Sequence, residues 1–526
     1  MSFVQNNAQQ ISISDSYLNL TEREKRILDK SWAKVFSEEV FPRIDERPYA
    51  VLYSSKDSRP NTPINVIIGA LIIKELTGLT DEELVESILF DIRYQYALRT
   101  TSFKEQPVSD RTFSRFRERC AEHEMKTGDD LLKGTIKNLS EELAKLLKIN
   151  SQLKRMDSMM IASNIKRLSR MELFYSCVTR LVSRLKKEGC TLPERYEHYL
   201  SDSDRNETFY YMERHKEEKF AEIVQDAIDL ETLSPLTCRD MDEYKILKKL
   251  LDEQTKYEED GVRYLKDPKK DKIEADSLQS PMDPDATYRT KAGKAHTGYV
   301  GNIVESVGER SRIITDYQLE TNVYSDQQFC QDQIDASPKT ENPTMLVADG
   351  AFGSKSLREN ALKKNIHLLN TGLNVKDIPD FFSSFELDAE TKTKIVKCPG
   401  GFAPDNRYYN ETTKQRFFTL PKNCCDNCPF NHHCKPKFMK NRAGIRLTLT
   451  KVERALIKAF YNTKEYFELA HIRNGSETVP SVLRRKYNVD RIPQRGLIRM
   501  RFWFGLKIMA ANFTNFFRHK RLGLSC

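Results

Sequence analysis

The pattern of hydrophobic positions divides the first 145 residues into a polar beginning and a helical segment. Residues 1–60 are polar and weakly patterned, and they predict an irregular N-terminal arm with one helix near LTEREKRILDKSWAKVF. Between residues 61 and 145, hydrophobic residues recur at helical spacing in PINVIIGALIIKELTGL, DEELVESILFDIRYQYAL and SDRTFSRFRERCAEHEM. These three predicted helices indicate an all-α domain.

The third predicted helix carries closely spaced arginines behind an N-cap. Ser109 or Asp110 offers the cap, and the arginines that follow it are Arg111, Arg115, Arg117 and Arg119. Two interpretations stay open. The segment is either a helix-turn-helix motif that binds DNA through Arg115 and Arg119, or a helical bundle that packs against the next domain.

From residue 150 onward, strand patterns appear in LKRMDSMMIASNI, TGYVGNIVESV, SRIITDYQLE, MLVADG and IHLLNTG, and SLRENALKKN predicts a helix. The second and third of these strands are predicted to form a hairpin. Residues 166–278 are charged and helix-forming, which predicts a helical insertion, and Asp285 in the turn-rich segment that follows is predicted to be a turn residue. The order of elements predicts a mixed α/β fold, a sheet with helices against its faces.

Composition places the chain among globular proteins. It has 526 residues, of which 39% are hydrophobic and 31% charged, enough for two to four domains. No apolar run reaches the roughly 18 residues that a membrane helix needs, and MSFVQNNAQQ lacks the features of a signal peptide. We therefore expect no membrane association and a location inside the cell.

Positive charge is concentrated near the C-terminus. Residues 435–526 contain 21 Lys or Arg and 5 Asp or Glu, a net charge of +16, whereas the whole chain carries +9. Within 450–526, a predicted set of basic helices, arginines alternate with Tyr487, Phe502 and Trp503. A solvated helical face would explain the charge alone, but the added aromatic residues favour contact with a nucleic-acid backbone.

Two lone aspartates lie in apolar strand patterns, Asp157 in MDSMMIASNI and Asp349 in MLVADGAFGS. Asp349 alone would be explained as a helix cap. A second buried carboxylate is costly unless it is paired or bound to metal. Two carboxylates on adjacent strands repel each other unless a divalent cation lies between them, and Mg²⁺ prefers such oxygen ligands. A third acid is then expected.

Glu477 is the best candidate for the third acid. Arg473 lies four residues before it and Arg484 seven after, spacings that share one face of a helix. Because Pro480 is tolerated only in a first helical turn, either a helix restarts near residue 476 or Glu477 lies on a broken helix. Glu468 is the alternative third acid.

The cysteine cluster predicts a zinc site. Five of the 11 cysteines fall between residues 398 and 434, and this clustering is typical of metal binding rather than of disulfides. Spacing favours tetrahedral Zn²⁺ bound by Cys398, Cys425, Cys428 and Cys434. Alternatively, Cys424 replaces Cys425, or His432 or His433 replaces one thiolate. The cluster indicates a Cys-rich insertion at about 380–440 with a structural or DNA-contacting role.

The segments MDSMMIASNI, VADGAFGS and RNGSETVPSVLRR, in that order, resemble the DDE transposases of bacterial insertion sequences. The similarity spans roughly residues 60–520, and the branch is the one with an N-terminal helical InsH-type domain. It implies an RNase H-like catalytic domain over 150–526, in which Asp157, Asp349 and Glu477 bind two Mg²⁺ or Mn²⁺ ions. Related enzymes surround the Glu with Tyr, Arg and Lys, whereas this chain has Ala470 at the Tyr position and Arg484 at the Lys position.

The resemblance also implies the reaction and the partners. Such enzymes cleave double-stranded DNA at the terminal repeats and join the freed ends to a target; spacing alone implies only metal-dependent phosphoryl transfer. Arg473, Arg484 and Arg485 would position phosphates beside the ions. We expect a homodimer in the active complex and a cytoplasmic, nucleoid-associated protein. The alternatives are a catalytically silent DNA-binding regulator and a metal-dependent nuclease.

Overall fold

The computed structural model describes all of the chain except residues 7–14, 55, 57–58, 151, 202, 205–207, 210–215, 259–260, 292, 372–377, 476–477 and 522–526. The chain divides into two compact units. The first comprises Met1–Leu346, Phe352–Leu368 and Ser476–Cys526, and the second comprises Val347–Ala351 and Leu369–Gly475.

Helices occupy much of the chain. The described α-helices are α1 (Glu22–Asp29), α2 (Trp32–Val35), α3 (Ile64–Thr77), α4 (Asp81–Phe90), α5 (Ile92–Ala97), α6 (Asp110–Thr127), α7 (Leu131–Leu146), α8 (Arg170–Lys187), α9 (Lys216–Leu233), α10 (Asp242–Gln254), α11 (Asp326–Ala336), α12 (Lys355–Lys363), α13 (Lys422–Asp426), α14 (Asn431–Cys434), α15 (Leu449–Tyr461), α16 (Lys464–Asn474), α17 (Thr478–Arg485) and α18 (Leu497–Arg521). None of the helices in the described part is long and apolar enough to cross a membrane.

The strands are β1 (Leu153–Ala162), β2 (Thr255–Tyr257), β3 (Arg263–Leu265), β4 (Thr287–Lys291), β5 (Lys294–Val307), β6 (Arg312–Thr321), β7 (Thr344–Asp349), β8 (Ile366–Thr371), β9 (Glu386–Leu387), β10 (Ile395–Lys397), β11 (Asp405–Asn410), β12 (Gln415–Pro421), β13 (Lys437–Phe438) and β14 (Arg442–Thr448). The main sheet has the strand order β4-β5-β1-β7-β8, with β6 paired to β5. The strands predicted around Asp157 and Asp349, the hairpin β5–β6 and the helix α12 are all confirmed.

The N-terminal helices follow the sequence pattern with two differences. The segment predicted as one helix is split into α4 and α5, because Asp91 adopts an extended backbone (φ −105°, ψ 112°) and its side chain accepts a hydrogen bond from Arg93 N. Residues 1–60, predicted as a polar arm, contribute Phe36 and Tyr49, both fully buried, to the same core as α3. The described part of residues 1–60 therefore packs into the core through these aromatic rings and does not form a loose arm.

Residues 166–278, predicted as a helical insertion, contain α8, α9 and α10 and the short hairpin of β2 with β3. Their buried side chains form an apolar cluster of their own, in which Phe174, Leu181 and Leu247 are fully buried. The amphipathic spacing of α8 explains the cluster, since its buried residues recur along one face.

Helix α18 is the longest helix and packs against the main sheet within the first unit. Gly301 of β5 makes room for it, because a Cβ added there would lie 3.0 Å from Phe504 Cζ. The side-chain amide of Asn512 donates to Ile314 O (2.7 Å) and its oxygen accepts from Ile314 N (2.9 Å), which ties the helix to β6. The helix therefore fixes one face of the sheet.

The second unit contains a smaller sheet with the order β11-β12-β14-β13. Its core includes Phe418, Leu420 and Ile445 together with the buried thiols of Cys398 and Cys425. Phe418 and Leu420 occupy alternate positions of β12, and Phe418 is paired with Ile445 of β14, so these side chains point to one side of the sheet.

Candidate active site

Asp157 lies in the middle of β1 and is half-buried between the buried residues Met156 and Ser158. Its Oδ1 accepts a hydrogen bond from Ser158 N at 2.9 Å. Side chains alternate along a strand, so Asp157 shares a face with Met159, which is paired with Gly301 of β5. Because Gly301 adjoins Phe504, this is the face on which α18 packs.

Helix α17 is tied to the main sheet of the first unit near both of its ends. At its start, Thr478 Oγ1 accepts a hydrogen bond from Arg312 (2.7 Å), and Arg312 is ion-paired at 3.5 Å with Glu305, the cross-strand partner of Arg155. At its end, the Arg484 guanidinium donates to Met160 O at 2.6 Å. The start of the helix thus contacts β6, and its end contacts β1 beyond Asp157.

Glu477, the predicted third acid, lies outside the described residues, but its neighbours are described. Helix α16 ends at Asn474 and α17 begins at Thr478. Pro480 therefore falls in the first turn of α17, where proline is tolerated. The residues between the two helices lie outside the described part of the chain, so the choice between a helix restart near residue 476 and a broken helix at Glu477 stays a prediction.

Glu468, the alternative third acid, is a surface residue of α16. Its side chain is 67% exposed and lies 3.8 Å from Lys464, one turn earlier. No residue of α16 is buried. This arrangement is that of an ordinary solvated ion pair.

Asp349 ends β7 and belongs to the second unit. Its Oδ1 accepts a hydrogen bond from Gly350 N (2.6 Å), and its backbone oxygen accepts one from the Asn370 amide (3.2 Å). The Arg473 guanidinium lies 3.7 Å from Oδ2, beyond hydrogen-bond distance. The carboxylate is 45% exposed, so it is held by the strand end and stays accessible to a cation.

The predicted DNA-binding arginines differ in their surroundings. Arg485 and Arg115 are exposed. Arg119 lies over the Tyr53 ring at 4.9 Å. Arg484 bonds Met160 O, as above, and also Asp490 Oδ2 at 3.0 Å, so it holds the end of β1 as well as bearing charge. Arg473 is the residue beside Asp349.

The cysteine cluster lies within the second unit and surrounds a cavity of about 20 Å³ lined by Cys398, Cys424, Cys425, Cys428 and Cys434. Burial raises the pKa of the Cys434 thiol to about 12, and the nearby thiols of Cys428, Cys398 and Cys425 add to the effect. Cys424 is absent from that set, and its Sγ faces Asn423 Oδ1 at 3.8 Å. Cys424 nevertheless lines the same cavity and is among the thiols that raise the pKa of Cys425, so the choice between the two cysteines stays a prediction.

The two histidines near the cluster are exposed. His433 stacks on the Phe381 ring with centroids 4.7 Å apart, and His432 lies beside His433. Neither imidazole lines the cysteine cavity. Four thiols without a carboxylate or imidazole form a soft donor set, which suits Zn²⁺ and not Mg²⁺.

No group of three or more His, Cys, Asp or Glu side chains in the described part of the chain has the arrangement of a formed metal site. Glu477 lies outside the described part of the chain, so this statement does not cover it. The thiols therefore share a cavity without closing around one point, and the two aspartates supply oxygen donors of the kind that Mg²⁺ prefers.

Sequence reasoning missed one buried carboxylate of the first unit. Asp283 is fully buried and accepts hydrogen bonds from Tyr299 Oη (2.6 Å), Gly496 N (3.0 Å) and the Ser163 hydroxyl. It joins the end of β1 to the residue before α18. Its partners are 120 and 213 positions away, so no local pattern could indicate them.

Two families of known proteins match parts of this chain. The transposase domain DUF772 matches residues 24–119, and the transposase DDE domain matches residues 397–517. The chain is a DDE transposase of the insertion-sequence type. The DDE match contains the cysteine cluster, Arg473 and Glu477, whereas Asp157 and Asp349 precede it.

This DDE transposase is therefore an enzyme that breaks and joins DNA phosphodiesters with divalent metal ions. No curated protein matches it. It is similar to a solved structure described as a cryo-EM structure of piggyBac transposase synaptic complex with hairpin DNA, at 8% identity and a TM-score of 0.28, covering 95% of this chain and 77% of the other. A TM-score this low carries no argument.

Proposed function

We propose that this transposase cleaves DNA at the ends of its element and joins them to a target, with Asp157, Asp349 and Glu477 as the ligands of two Mg²⁺ or Mn²⁺ ions. The supporting observation is the course of α17. The helix begins immediately after Glu477, and it contacts Arg312 and Met160. The end of the helix thus lies at β1 beyond Asp157, and its start lies at β6 in the same sheet.

Sheet order supports the same assignment and an RNase H-like fold for the catalytic domain. An Asp-bearing strand is followed by a hairpin, a second Asp-bearing strand, a helix and a further strand. Within the first unit, the beginning of β7 lies beside β1 in the sheet order, and the sequence predicts that the carboxylates of the two strands bind the same ions. Two carboxylates on neighbouring strands repel each other unless a cation lies between them.

The chemistry assigns separate tasks to the acids and the arginines. When bound, the two ions supply activation of the attacking oxygen and stabilisation of the leaving oxygen at phosphorus. The carboxylates hold the ions and take no nucleophilic part. Arg473, beside Asp349, and the exposed Arg485 would orient phosphates by guanidinium contacts.

DNA contact in the N-terminal helical domain would come from the exposed Arg115. Arg119 is partly engaged by the Tyr53 ring and would contribute through its charge. Exposed guanidinium groups bind phosphate without base specificity. We assign these residues to holding the DNA rather than to reading its sequence.

A structural Zn²⁺ held by Cys398, Cys425, Cys428 and Cys434 completes the proposal. These four thiols line one cavity, and the other three add to the effect of burial in raising the pKa of Cys434. Zinc would bind the deprotonated thiolates and replace the unfavourable contact between them by four metal–sulfur bonds. A closed site of four ligands serves the fold of the small sheet and not catalysis.

Cleavage and joining of a labelled duplex that carries the element's own ends test the catalytic assignment. With Mg²⁺ or Mn²⁺, we expect joined product from the wild type. Asp349→Asn should lower the joining activity by at least roughly 100-fold, because mutation of even the outer-shell partners of metal ligands costs about 10–100-fold in metal affinity or activity. DNA binding by this variant should persist, because the exposed arginines remain.

Two further variants decide the third acid. Glu477→Gln should lose activity as Asp349→Asn does, whereas Glu468→Gln should retain it, since Glu468 is an exposed ion-pair residue. The reverse result would assign the role to Glu468. Cleavage without joining would indicate a nuclease, and DNA binding without chemistry in the wild type would indicate a silent regulator.

A further inference from the structure

A positively charged cavity lies within the first unit, at the end of β1 where the strand begins. It has a volume of about 370 Å³. We call it the arginine pocket, and its lining consists of Arg155, residues 307–312, Asn515, Arg518 and His519. One wall is therefore the turn of the β5–β6 hairpin, and the other is the end of α18.

Two of its arginines are fixed by a buried carboxylate. Arg155 Nε donates to Glu305 Oε2 at 2.6 Å, and both side chains are nearly inaccessible, 4% and 3% exposed. Arg312 lies 3.5 Å from the other oxygen of the same carboxylate. One negative charge is thus shared by two guanidinium groups, and positive charge remains.

Two further arginines add charge at the mouth. Arg310 and Arg518 are exposed, and in the described part of the chain neither has an ion-pair partner. Only Glu309, in the turn, adds a second carboxylate to the pocket. His519 Nε2 is buried, and the described residues offer it no hydrogen-bond partner.

The arginines are close enough to perturb one another. Burial lowers the pKa of Arg312, and the nearby positive charges of Arg155 and Arg518 lower it further. Burial and Arg518 lower the pKa of Lys486 in the same way. Like charges held together in a concave surface attract an anion, which relieves their repulsion.

The pocket adjoins the proposed catalytic residues. Arg312 donates to Thr478, the residue that follows Glu477. Arg155 lies two residues before Asp157 on the same face of β1, which corresponds to about 7 Å at a rise of ~3.3 Å per residue. A DNA strand rises ~3.4 Å per nucleotide, so the pocket lies within a few nucleotides of the reacting phosphodiester.

We propose that the arginine pocket binds one backbone phosphate of the DNA, a few nucleotides from the phosphodiester that the three acids act on. The assignment rests on the proposed function for its position. Arg310 and Arg518 make the charged contacts, and Arg155 and Arg312, held by Glu305, add to the positive field. The C-terminus of α18 alone would disfavour an anion, but its last turn carries Arg518, His519, Lys520 and Arg521.

Binding of chemically modified DNA tests the pocket. The duplex carries the element end, and single phosphates around the cleavage position are replaced in turn by uncharged methylphosphonates. Affinity is measured without divalent metal for the wild type and for the double variant Arg310→Gln/Arg518→Gln. These two residues are chosen because loss of Arg155 or Arg312 would leave Glu305 buried and poorly paired. Arg521→Gln, one turn from Arg518 and outside the pocket lining, is the matched control.

We expect the double variant to bind about 10-fold more weakly, with the slope of log affinity against log salt reduced by about one. At one position, the methylphosphonate should weaken DNA binding by the wild type and leave DNA binding by the double variant unchanged. Such non-additivity is expected when the phosphate and the arginines are in direct contact. Arg521→Gln should retain the sensitivity of the wild type at that position. Equal sensitivity of wild type and double variant at every position would overturn the proposal.

These readouts require no catalysis, so the pocket and the catalytic proposal fail separately. If binding shows coupling at one phosphate but the protein joins no strands, the pocket proposal stands and the catalytic assignment is rejected. Normal joining without coupling at any phosphate would keep the catalytic assignment and reject the pocket.

Discussion

At the scale of single residues, the buried carboxylate of Asp283 holds the sheet and α18 together. Its three donors come from Ser163, Tyr299 and Gly496. Two residues later, the exposed Asp285 accepts a hydrogen bond from Leu497 N (2.9 Å), the first residue of α18. Asp285 lies in a turn, as the sequence predicts, and also caps a helix that starts 212 positions later.

Asp283→Ala should destabilise the first unit by about 3 kcal/mol or more, because three buried donors lose their acceptor. Asp285→Ala should cost about 1 kcal/mol, the usual value for an exposed cap. Urea unfolding followed by tryptophan fluorescence measures both, since Trp32 and Trp503 lie in the first unit. Equal losses in the two variants would contradict the anchoring role of Asp283.

At the scale of elements, the small sheet and short helices of the second unit bring the cysteines of the cluster close together. Cys425 lies on α13, Cys434 on α14, and Cys398 directly after β10. The thiol groups are buried or half-buried in an apolar core. Burial disfavours the charged form of these thiols, so a bound zinc ion would be the partner that stabilises them as thiolates.

The purified protein should therefore contain about one zinc ion per chain, the stoichiometry of a four-thiolate site. Cys425→Ser should lose the metal and lower the thermal stability of the chain, whereas Cys424→Ser should keep both. The adjacent cysteine is a matched control with the same chemical change. Metal analysis and thermal unfolding measure the outcome, and equal zinc content in both variants would reject the assigned ligand set.

Local hydrophobic patterns in the sequence were sufficient to predict most strands of the main sheet. The strands β1, β5, β6, β7 and β8 carry apolar runs whose period indicates a strand, and these were predicted. The break between α4 and α5 was missed because Asp91 interrupts a helical pattern without a glycine or proline to mark it. The strands of the small sheet that holds the cysteines are short, and the sequence analysis did not predict them.

The candidate site likewise combines residues that local sequence patterns indicate with contacts that such patterns cannot indicate. Asp157 and Asp349 were proposed as metal ligands because a lone carboxylate in an apolar strand is costly, which is visible locally, and this role stays a prediction. The pairing of Arg155 with Glu305 joins residues 150 positions apart, and Arg518 reaches the same pocket from the last helix. Cross-strand register and helix packing create this cluster, and neither can be read from spacing along one chain.

At the scale of the whole molecule, the proposed reaction bears on how many copies of the chain act together. The reaction must act on two DNA ends, and each copy offers one proposed set of three acids. We propose that two copies act together as a symmetric pair, one set of acids at each end, since closed twofold assemblies are the commonest oligomers.

Mixing the wild type with Asp349→Asn on paired element ends tests that arrangement. If joining needs two active copies, an equal mixture should retain about a quarter of the double-end product, whereas independent copies would retain about half. Glu468→Gln, mixed in the same proportion, should leave the product unchanged, because its acid is an exposed ion-pair residue. Light scattering of the complex with DNA should report two chains. A linear decline with the inactive fraction would instead mean that one chain processes both ends in turn, since each wild-type copy would then complete the reaction whatever copy lay beside it.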